Sequence, residues 1–286
     1  MKFETFDYER PAVILDTDAF NEVDDQFAIA YLLRSKDRFD IRGITAAPFV
    51  AKHAATPKSG MEQSYDEILN ICGLMGEKDI PVYKGADRVM TSKSDPVASP
   101  ATDVIISEAK KCAAEGKKLL VLAIGAITNV GSALALEPKL ADMMELVWLG
   151  GSLKVATEYN MDGDRAAASV VFDSSVPFVQ MPCVGVVDKV YITKEELAER
   201  VKNCGAVGEY LLRIVDRTGS PGRVIWDIVT VAAFNVPGAF EYEVKARPTI
   251  VPGDDYGPDR PNTEMTVAVD ADRDVIFNDL FKRISN

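Results

Sequence analysis

Short apolar runs alternate with helical patterns along the first half of the chain, and this order limits the possible folds more than any other feature. The apolar runs are rich in Val, Ile and Leu without polar alternation, so they predict strands that are buried on both faces. They cover 12–15, 41–46, 119–124 and 146–149, and the helical patterns cover 24–35, 61–75, 101–115 and 128–136. The βαβα order predicts an α/β fold with a mostly parallel central sheet flanked by helices.

The second half continues with helices and one late pair of strands. Helices are predicted at 206–217, 226–235 and 274–284, and strands at 242–251 and 263–270. The stretches that contain Pro and Gly are only loop-sized, and they lie at 91–100, 218–223 and 252–262. Because no linker divides the chain, we expect a single domain over 1–286.

Charge and cysteine content limit the possible partners and location. A net charge of −12 disfavours nucleic acid and anionic membranes, which both require a positive protein surface. No run approaches the length of about eighteen apolar residues that suggests a membrane span, and the N-terminus lacks a signal-peptide core, so a cytoplasmic protein is expected. The cysteines are far apart in the sequence and predict buried, reduced thiols: Cys72, Cys112, Cys183 and Cys204.

Acidic residues concentrate where the first strand meets the first helix. Asp16 and Asp18 follow the strand, and Asp24 and Asp25 begin the helix, at the edge where α/β sheets bind ligands. A helix dipole stabilises a nearby carboxylate by only about 0.3–1 kcal/mol, too little to keep several of them ionised together. Oxygen ligands without neighbouring Cys or His favour a hard cation, Ca²⁺ or Mg²⁺.

The residues alone leave other interpretations of these acids open. Asp24 could be a helix N-cap, and Asp16 could pair with a lysine or arginine elsewhere. A phosphatase with a DxD nucleophile after its first strand would need Mg²⁺, although its pattern favours Thr or Val where Phe20 stands. An EF-hand is excluded, because the fifth position lacks an oxygen ligand and the sixth lacks glycine.

Four stretches, in the right order, resemble the inosine–uridine-preferring nucleoside hydrolase family. They are the strand with Asp16-Thr17-Asp18 and then Asp24-Asp25, LVLAIGAITNVGSAL at 120–134, LGGS…TEYNMDGDRAAA at 149–168 and WDIVTVAAF at 226–234. Together they span 13–234, most of the chain. The resemblance implies the nucleoside hydrolase fold and calcium-dependent hydrolysis of the N-glycosidic bond of a ribonucleoside or related riboside, giving free base and ribose.

The resemblance also implies which residues hold the metal ion. The Ca²⁺ ligands would be Asp18, Asp25, the main-chain carbonyl of Ile124 and Asp227. Asp18 would also act as the base that takes a proton from the attacking water. Asp16 would support this group of ligands from behind.

The same resemblance implies the substrate contacts. Asp24, Asp227 and Asn160 would hold ribose hydroxyls, with Asn160 counted among the catalytic residues, and Glu158 would contact the 5′ end of the sugar. On the chemistry of indole, a weak N–H donor, Trp226 would be a stacking or packing surface for the substrate rather than a proton source. The family also implies a cytoplasmic homodimer or homotetramer in purine or pyrimidine salvage, with a small riboside as its partner.

These residue types suit the implied reaction on chemical grounds as well. Cleaving an N-glycosidic bond passes through an oxocarbenium-like sugar, which nearby negative charge stabilises. A hard cation lowers the pKa of water, and an adjacent carboxylate then accepts the proton. A family member that binds calcium and sugar without catalysis is the remaining alternative, because the expected leaving-group acid is missing.

The sequence departs from the family pattern in the loop and at the base. Five residues, 19–23, stand where three are usual, so the loop that approaches the ribose is longer. Val50 stands where the family often has an Asn beside the sugar. Trp226 replaces the histidine that protonates a departing purine in many members, and the chain's only histidine, His53, lies in the loop after the second strand.

Overall fold

The computed structural model describes residues 3–285, which form a central eight-stranded sheet flanked by helices. The strands of this sheet are β1 Ala12–Thr17, β2 Asp40–Ala46, β3 Val82–Lys84, β4 Leu119–Ala123, β5 Met144–Leu149, β6 Phe178–Met181, β9 Phe240–Ile250 and β10 Tyr256–Ala271. Two further short strands, β7 Tyr191–Thr193 and β8 Gly222–Val224, form a separate antiparallel pair.

The helices connect the strands and cover the sheet. They are α1 Asp25–Leu33, α2 Pro57–Leu74, α3 Pro100–Ala114, α4 Thr128–Leu136, α5 Tyr159–Gly163, α6 Arg165–Asp173, α7 Lys194–Val201, α8 Gly205–Arg217, α9 Ile228–Asn235 and α10 Arg273–Ile284. Local sequence fixes several starts. In α2 and α3, the first helical residue is a proline, and a capping box is made by Thr56 with Ser59 and by Ser99 with Thr102.

The order of the strands places a crevice near the middle of the sheet. The order is β3-β2-β1-β4-β5-β6-β10-β9, with parallel pairing up to β10 and antiparallel pairing only between β10 and β9. The chain winds outward from β1 in one direction and from β4 in the other. Such a reversal leaves a crevice outside the carboxyl ends of the two central strands, where ligands bind in open α/β sheets.

Successive residues of β1 contribute to different parts of the core. Val13 and Leu15 belong to a cluster with α1 and α9, whereas Ile14 belongs to a cluster that contains Trp148 and Phe172. A strand covered on both faces needs apolar residues at every position, because neighbouring side chains point to opposite faces. This accounts for the uninterrupted apolar run before Asp16.

The predicted fold class and the predicted strands of the first half are confirmed. The late strands at 242–251 and 263–270 are also present, but the loop predicted over 252–262 is wrong from Tyr256 onward, where β10 begins. The prolines at 258 and 261 suggested a loop, and they lie where the pairing with β9 changes register, so the ladder is already interrupted there. The end of the loop predicted at 218–223 likewise belongs to β8.

Several elements had no strong sequence signal. Those missed are β3, β6, β7, β8, α5 and α6, most of which are short. All four cysteines are buried and free, as predicted. Among the helices of residues 3–285, none is both long and apolar enough to cross a bilayer. The predicted domain limits, 1 and 286, lie outside the described residues.

A buried arginine holds the end of α6 against the last two strands of the sheet. Arg247 is 2% exposed, and its guanidinium donates to the carbonyls of Ser174 at 2.7 Å, Val176 at 2.9 Å and Glu264 at 2.9 Å. A cation beside the carbonyl end of a helix also interacts favourably with the helix dipole.

We expect Arg247→Met to lower the free energy of unfolding by about 3 kcal/mol or more, because several buried carbonyls lose their donor. Urea denaturation measures the change. Lys245→Met is the control, since Lys245 lies on the same strand, has 40% of its side chain exposed and forms a surface ion pair with Glu243 at 3.1 Å. That variant should change stability by less than about 0.5 kcal/mol. Equal effects of the two substitutions would contradict the structural role of Arg247.

Candidate active site

A cavity of about 380 Å³ opens at the carboxyl ends of β1 and β4, within the size range of small-molecule sites. Its wall contains every residue predicted to act in catalysis, metal binding or substrate binding. These residues are Asp18, Asp24, Asp25, Ile124, Glu158, Asn160, Trp226 and Asp227. Residues from four separate parts of the sequence therefore meet at the crevice that the strand order creates.

Three of the acids form a compact buried cluster. Carboxylate oxygens of Asp24, Asp25 and Asp227 all lie within 4.8 Å of one another, and each residue is less than 5% exposed. Asp24 and Asp25 come from the start of α1, and Asp227 directly precedes α9. The predicted ligand set shares Asp25 and Asp227 with this cluster, and Asp24, predicted as a sugar contact, is its third member.

Burial and mutual repulsion oppose ionisation of these acids. Burial, and next the charge of Asp25, raises the pKa of Asp24 to about 7. Burial also raises the pKa of Asp25 to about 7, although the Thr17 hydroxyl donates to it at 2.5 Å. For Asp227, burial and then the charge of Asp24 raise the pKa well above its usual range. The cluster must therefore hold protons or a positive charge at neutral pH.

The donor set fits a hard divalent cation. Carboxylate oxygens are the ligands that Ca²⁺ and Mg²⁺ prefer, and Asp18 adds another carboxylate to the same wall. Gly125 lets Asp18 approach the end of β4, because a Cβ at this position would lie 2.6 Å from Asp18 Oδ1. Burial and then the charge of Asp25 raise the pKa of Asp18 well above its ordinary value. A bound cation would relieve the repulsion among all these carboxylates.

Asp16 lies behind the cavity wall. Its Oδ1 accepts hydrogen bonds from the Thr45 hydroxyl at 2.6 Å and from Asn129 Nδ2 at 2.8 Å, and burial raises its pKa to about 6. Asn129 also accepts from the backbone N–H of Ala86 at 2.9 Å, so it joins β1 to the loop after β3. The support role of Asp16 stays a prediction, and the alternative of pairing with a lysine or arginine finds no such partner among residues 3–285.

The N-cap interpretation of Asp24 does not match its contacts either. Within the described chain, its side chain makes no capping hydrogen bond to α1. Instead, Asp24 Oδ2 accepts from the backbone N–H of Trp226 at 3.1 Å, and this bond ties the start of α1 to the segment before α9.

Asn160 and Glu158 are held by the backbone around them. Asn160 Nδ2 donates to the carbonyls of Ile124 at 3.0 Å and Leu149 at 2.9 Å, so the residue predicted to hold the sugar contacts the carbonyl predicted to bind metal. A carbonyl oxygen has two lone pairs and can accept a second interaction. Glu158 accepts from the N–H groups of Gly151 at 2.9 Å and Asn160 at 3.1 Å.

Comparison with known proteins identifies the family. The sequence profile of the inosine-uridine preferring nucleoside hydrolases matches residues 13–278. The chain belongs to this family. It is 29% identical over 237 residues to the pyrimidine-specific ribonucleoside hydrolase RihB of Escherichia coli (strain SE11), covering 73% of this chain and 71% of that protein.

Two further comparisons, one of sequence and one of fold, give similar proteins. A probable ribonucleoside hydrolase of Dictyostelium discoideum is 30% identical over 141 residues, which cover 46% of this chain and 39% of that protein. The solved structure of a purine-preferring ribonucleoside hydrolase from Gardnerella vaginalis shares the fold, with a TM-score of 0.80, 24% identity and coverage of 96% and 98% of the two chains. The predicted enzyme class, N-ribosyl hydrolase, is confirmed, and this decides against the DxD-type phosphatase.

Residues of the longer loop also line the site, and sequence reasoning gave them no role. Asn21 Nδ2 donates to Asp18 Oδ2 at 3.0 Å, and the Tyr159 hydroxyl lies 3.0 Å from Asn21 Oδ1 and 2.9 Å from the carbonyl of Val50. The only signal in the sequence was the length of the loop between Asp18 and Asp24.

Glu22 and Arg223 are another pair of residues that are far apart in the sequence and meet at this wall. They form an ion pair, and the Arg223 guanidinium lies 5.3 Å from the centre of the Trp226 ring. No local pattern could have indicated this contact, because the two residues are far apart in the sequence and β8 has only three residues.

His53 does not line the cavity that contains the acids. Its Nε2 lies 3.0 Å from the carbonyl of Phe20, and its ring packs edge-on against the Phe20 ring on the outer side of the loop. We expect His53→Ala to change kcat for ribonucleoside hydrolysis by less than about twofold, since losing a general acid costs about 100-fold or more. The pH profile of kcat is the measurement, and loss of the basic limb in the variant, where a general acid would deprotonate, would contradict this assignment.

Proposed function

We propose that the protein hydrolyses the N-glycosidic bond of a ribonucleoside or related riboside in a calcium-dependent reaction that gives free base and ribose. The observation that carries this proposal is the buried cluster of Asp24, Asp25 and Asp227 beside Asp18, inside a cavity at the crevice of the sheet. Family membership supports the reaction, and the all-oxygen donor set supports a hard cation.

The cation would be held by the carboxylates of Asp18, Asp25 and Asp227 and by the carbonyl of Ile124. A hard cation at this position would make a nearby water molecule more acidic and would partly neutralise the acids. Asp18 would accept the proton of the attacking water at its carboxylate, and the hydrogen bond from Asn21 orients that group.

The remaining acids would bind and polarise the sugar. Asp24, Asp227 and Asn160 would accept or donate hydrogen bonds to the ribose hydroxyls, and Glu158 would contact the 5′ end. As the bond to the base breaks, positive charge develops on the sugar ring, and the buried carboxylates stabilise that charge. Asp16 keeps the end of β1 in place through Thr45 and Asn129.

The class of base that the enzyme accepts is a separate question from the reaction. The Escherichia coli relative is named as pyrimidine-specific and the Gardnerella vaginalis structure as purine-preferring, so similarity points to both classes. We propose that Trp226 provides the surface against which the base packs. The proposals of a cytoplasmic homodimer or homotetramer and of a role in salvage rest on the family resemblance.

Release of ribose from a panel of purine and pyrimidine nucleosides, with calcium and then with chelator, tests the reaction. We expect chelator to abolish release and calcium to restore it. Calcium binding without turnover on any nucleoside or riboside would indicate a non-catalytic calcium- and sugar-binding protein instead.

Asp25→Ala tests the cation site directly. We expect it to abolish calcium binding and to lower turnover by about 1000-fold or more, because the cation contributes several kcal/mol to the transition state. Calorimetric titration with Ca²⁺ measures binding without reference to activity. Asp66→Ala is the control, since Asp66 is an exposed acid of α2 outside the cavity wall. Unchanged calcium affinity in Asp25→Ala would refute the ligand set.

A further inference from the structure

Arg223 is the one cationic side chain among the described residues that line the acidic cavity. It lies on β8, and its guanidinium is placed against the Trp226 ring at 5.3 Å by the ion pair with Glu22. The arginine side chain is only 23% exposed, so much of the group is removed from solvent. Removing part of a charged group from solvent has a free-energy cost, which suggests that Arg223 has a role in binding or catalysis.

The side chains at the two ends of the cavity differ in their exposure to solvent. The carboxylates of the cluster are at most 4% exposed and form its floor, whereas Glu22 has 46% of its side chain exposed and lies at the mouth. A riboside whose hydroxyls reach the floor would direct its base toward the mouth. Arg223 is joined to Glu22 there by the ion pair, and Trp226 lies against its guanidinium; Tyr159 and Val184 of the same wall are also exposed.

A departing base needs a proton or another source of stabilisation, and His53, Tyr159 and Cys183 are poorly placed or too weakly acidic to supply that proton. When the bond breaks, its electron pair stays on the ring nitrogen, and the base leaves as an anion unless it is protonated. His53 lies outside the wall, and the Tyr159 hydroxyl already contacts Asn21 and the Val50 carbonyl. Burial and the charge of Glu158 raise the pKa of the Cys183 thiol, so it is a poor acid as well.

We propose that Arg223 is a catalytic residue that contacts the departing base and stabilises its negative charge through guanidinium N–H donors, in place of a protonating acid. This inference rests on the proposed riboside hydrolysis. Glu22, on the longer loop, is a positioning residue that holds the guanidinium over Trp226.

The bond changes balance without a further reactant. The bond from C1′ to the base nitrogen breaks, and the electron pair goes to the base, where Arg223 donates hydrogen bonds to the anion. The water oxygen bonds to C1′, and the water proton goes to Asp18. The free base then takes a proton from solvent, and Asp18 returns its proton to solvent. Arg223 remains charged throughout, since arginine is not deprotonated under these conditions.

Comparing substrates with different leaving groups tests this role. Inosine and uridine carry poor leaving groups, whereas p-nitrophenyl β-D-ribofuranoside releases a phenolate that needs no assistance. We expect Arg223→Gln to lower kcat/KM for the nucleosides by about 100-fold or more, as when one donor to a developing anion is removed. Hydrolysis of the nitrophenyl riboside should stay within about threefold of the wild-type value, because its leaving group gains little from the guanidinium.

Arg213→Gln is the matched control. Arg213 also lies over an aromatic ring, at 5.0 Å from the centre of Tyr210, but it is exposed and outside the cavity wall. Both classes of substrate should be unaffected in this variant. Arg223→Lys, which keeps the charge but not the planar fork, should lose less than Arg223→Gln on nucleosides, and it provides the test if Arg223→Gln does not fold.

Each outcome decides a different point. Parallel losses on nucleosides and on the nitrophenyl riboside would show that Arg223 only maintains the structure and would overturn its catalytic role. Undiminished nucleoside cleavage in Arg223→Gln would do the same. If the wild-type protein cleaves neither substrate class with calcium present, the proposed function fails, and this inference fails with it.

Discussion

The repulsion among buried carboxylates is the constraint on which the rest of this site depends. Asp24, Asp25 and Asp227 approach within a few ångströms in a place that excludes most solvent, and burial raises the pKa of each. A fold does not keep such a cluster for stability, because apolar residues of similar size would pack there without an electrostatic cost. The cost is tolerated where a ligand supplies the missing positive charge. A cation and an oxocarbenium-like sugar both do so.

The topology explains why this cluster forms at one place. Asp18 follows β1 and Ile124 follows β4, and these strands are neighbours at the point where the winding of the sheet reverses. Asp227 reaches the same crevice from the segment before α9, and the bond from its neighbour Trp226 to Asp24 fixes the distance between the two helix starts. The apolar strand residues contribute indirectly, because two covered faces make the sheet edge a rigid support.

Local sequence signals indicated the acids at the floor of the site and Trp226, but not the ion pair at its mouth. An apolar run that ends in Asp16 and Asp18 predicts a buried strand and a charged edge together, and both are present. The contact of Glu22 with Arg223 has no such signal, because it joins a loop to a three-residue strand at a distant point of the chain. The same reason explains the missed β3, β7 and β8, since a strand of three residues carries almost no periodicity. Pro258 led to the prediction of a loop where β10 is present. An irregular strand pairing accepts proline, whereas a regular one does not.

The longer loop, 19–23, contacts both the proposed proton acceptor and the proposed contact of the base. Phe20 adopts a positive φ of 80°, which costs a side-chain-bearing residue about 1–2 kcal/mol, and its ring is 44% exposed, so burial does not offset this cost. The compensation comes from the neighbours that the turn positions. Asn21 donates to Asp18, the group that would receive the proton of water, and Glu22 pairs with Arg223, the group that would receive the charge of the base. A movement of this loop would therefore shift the positions of Asp18 and Arg223 together. The longer loop in this way couples the sugar end of the cavity to its base end.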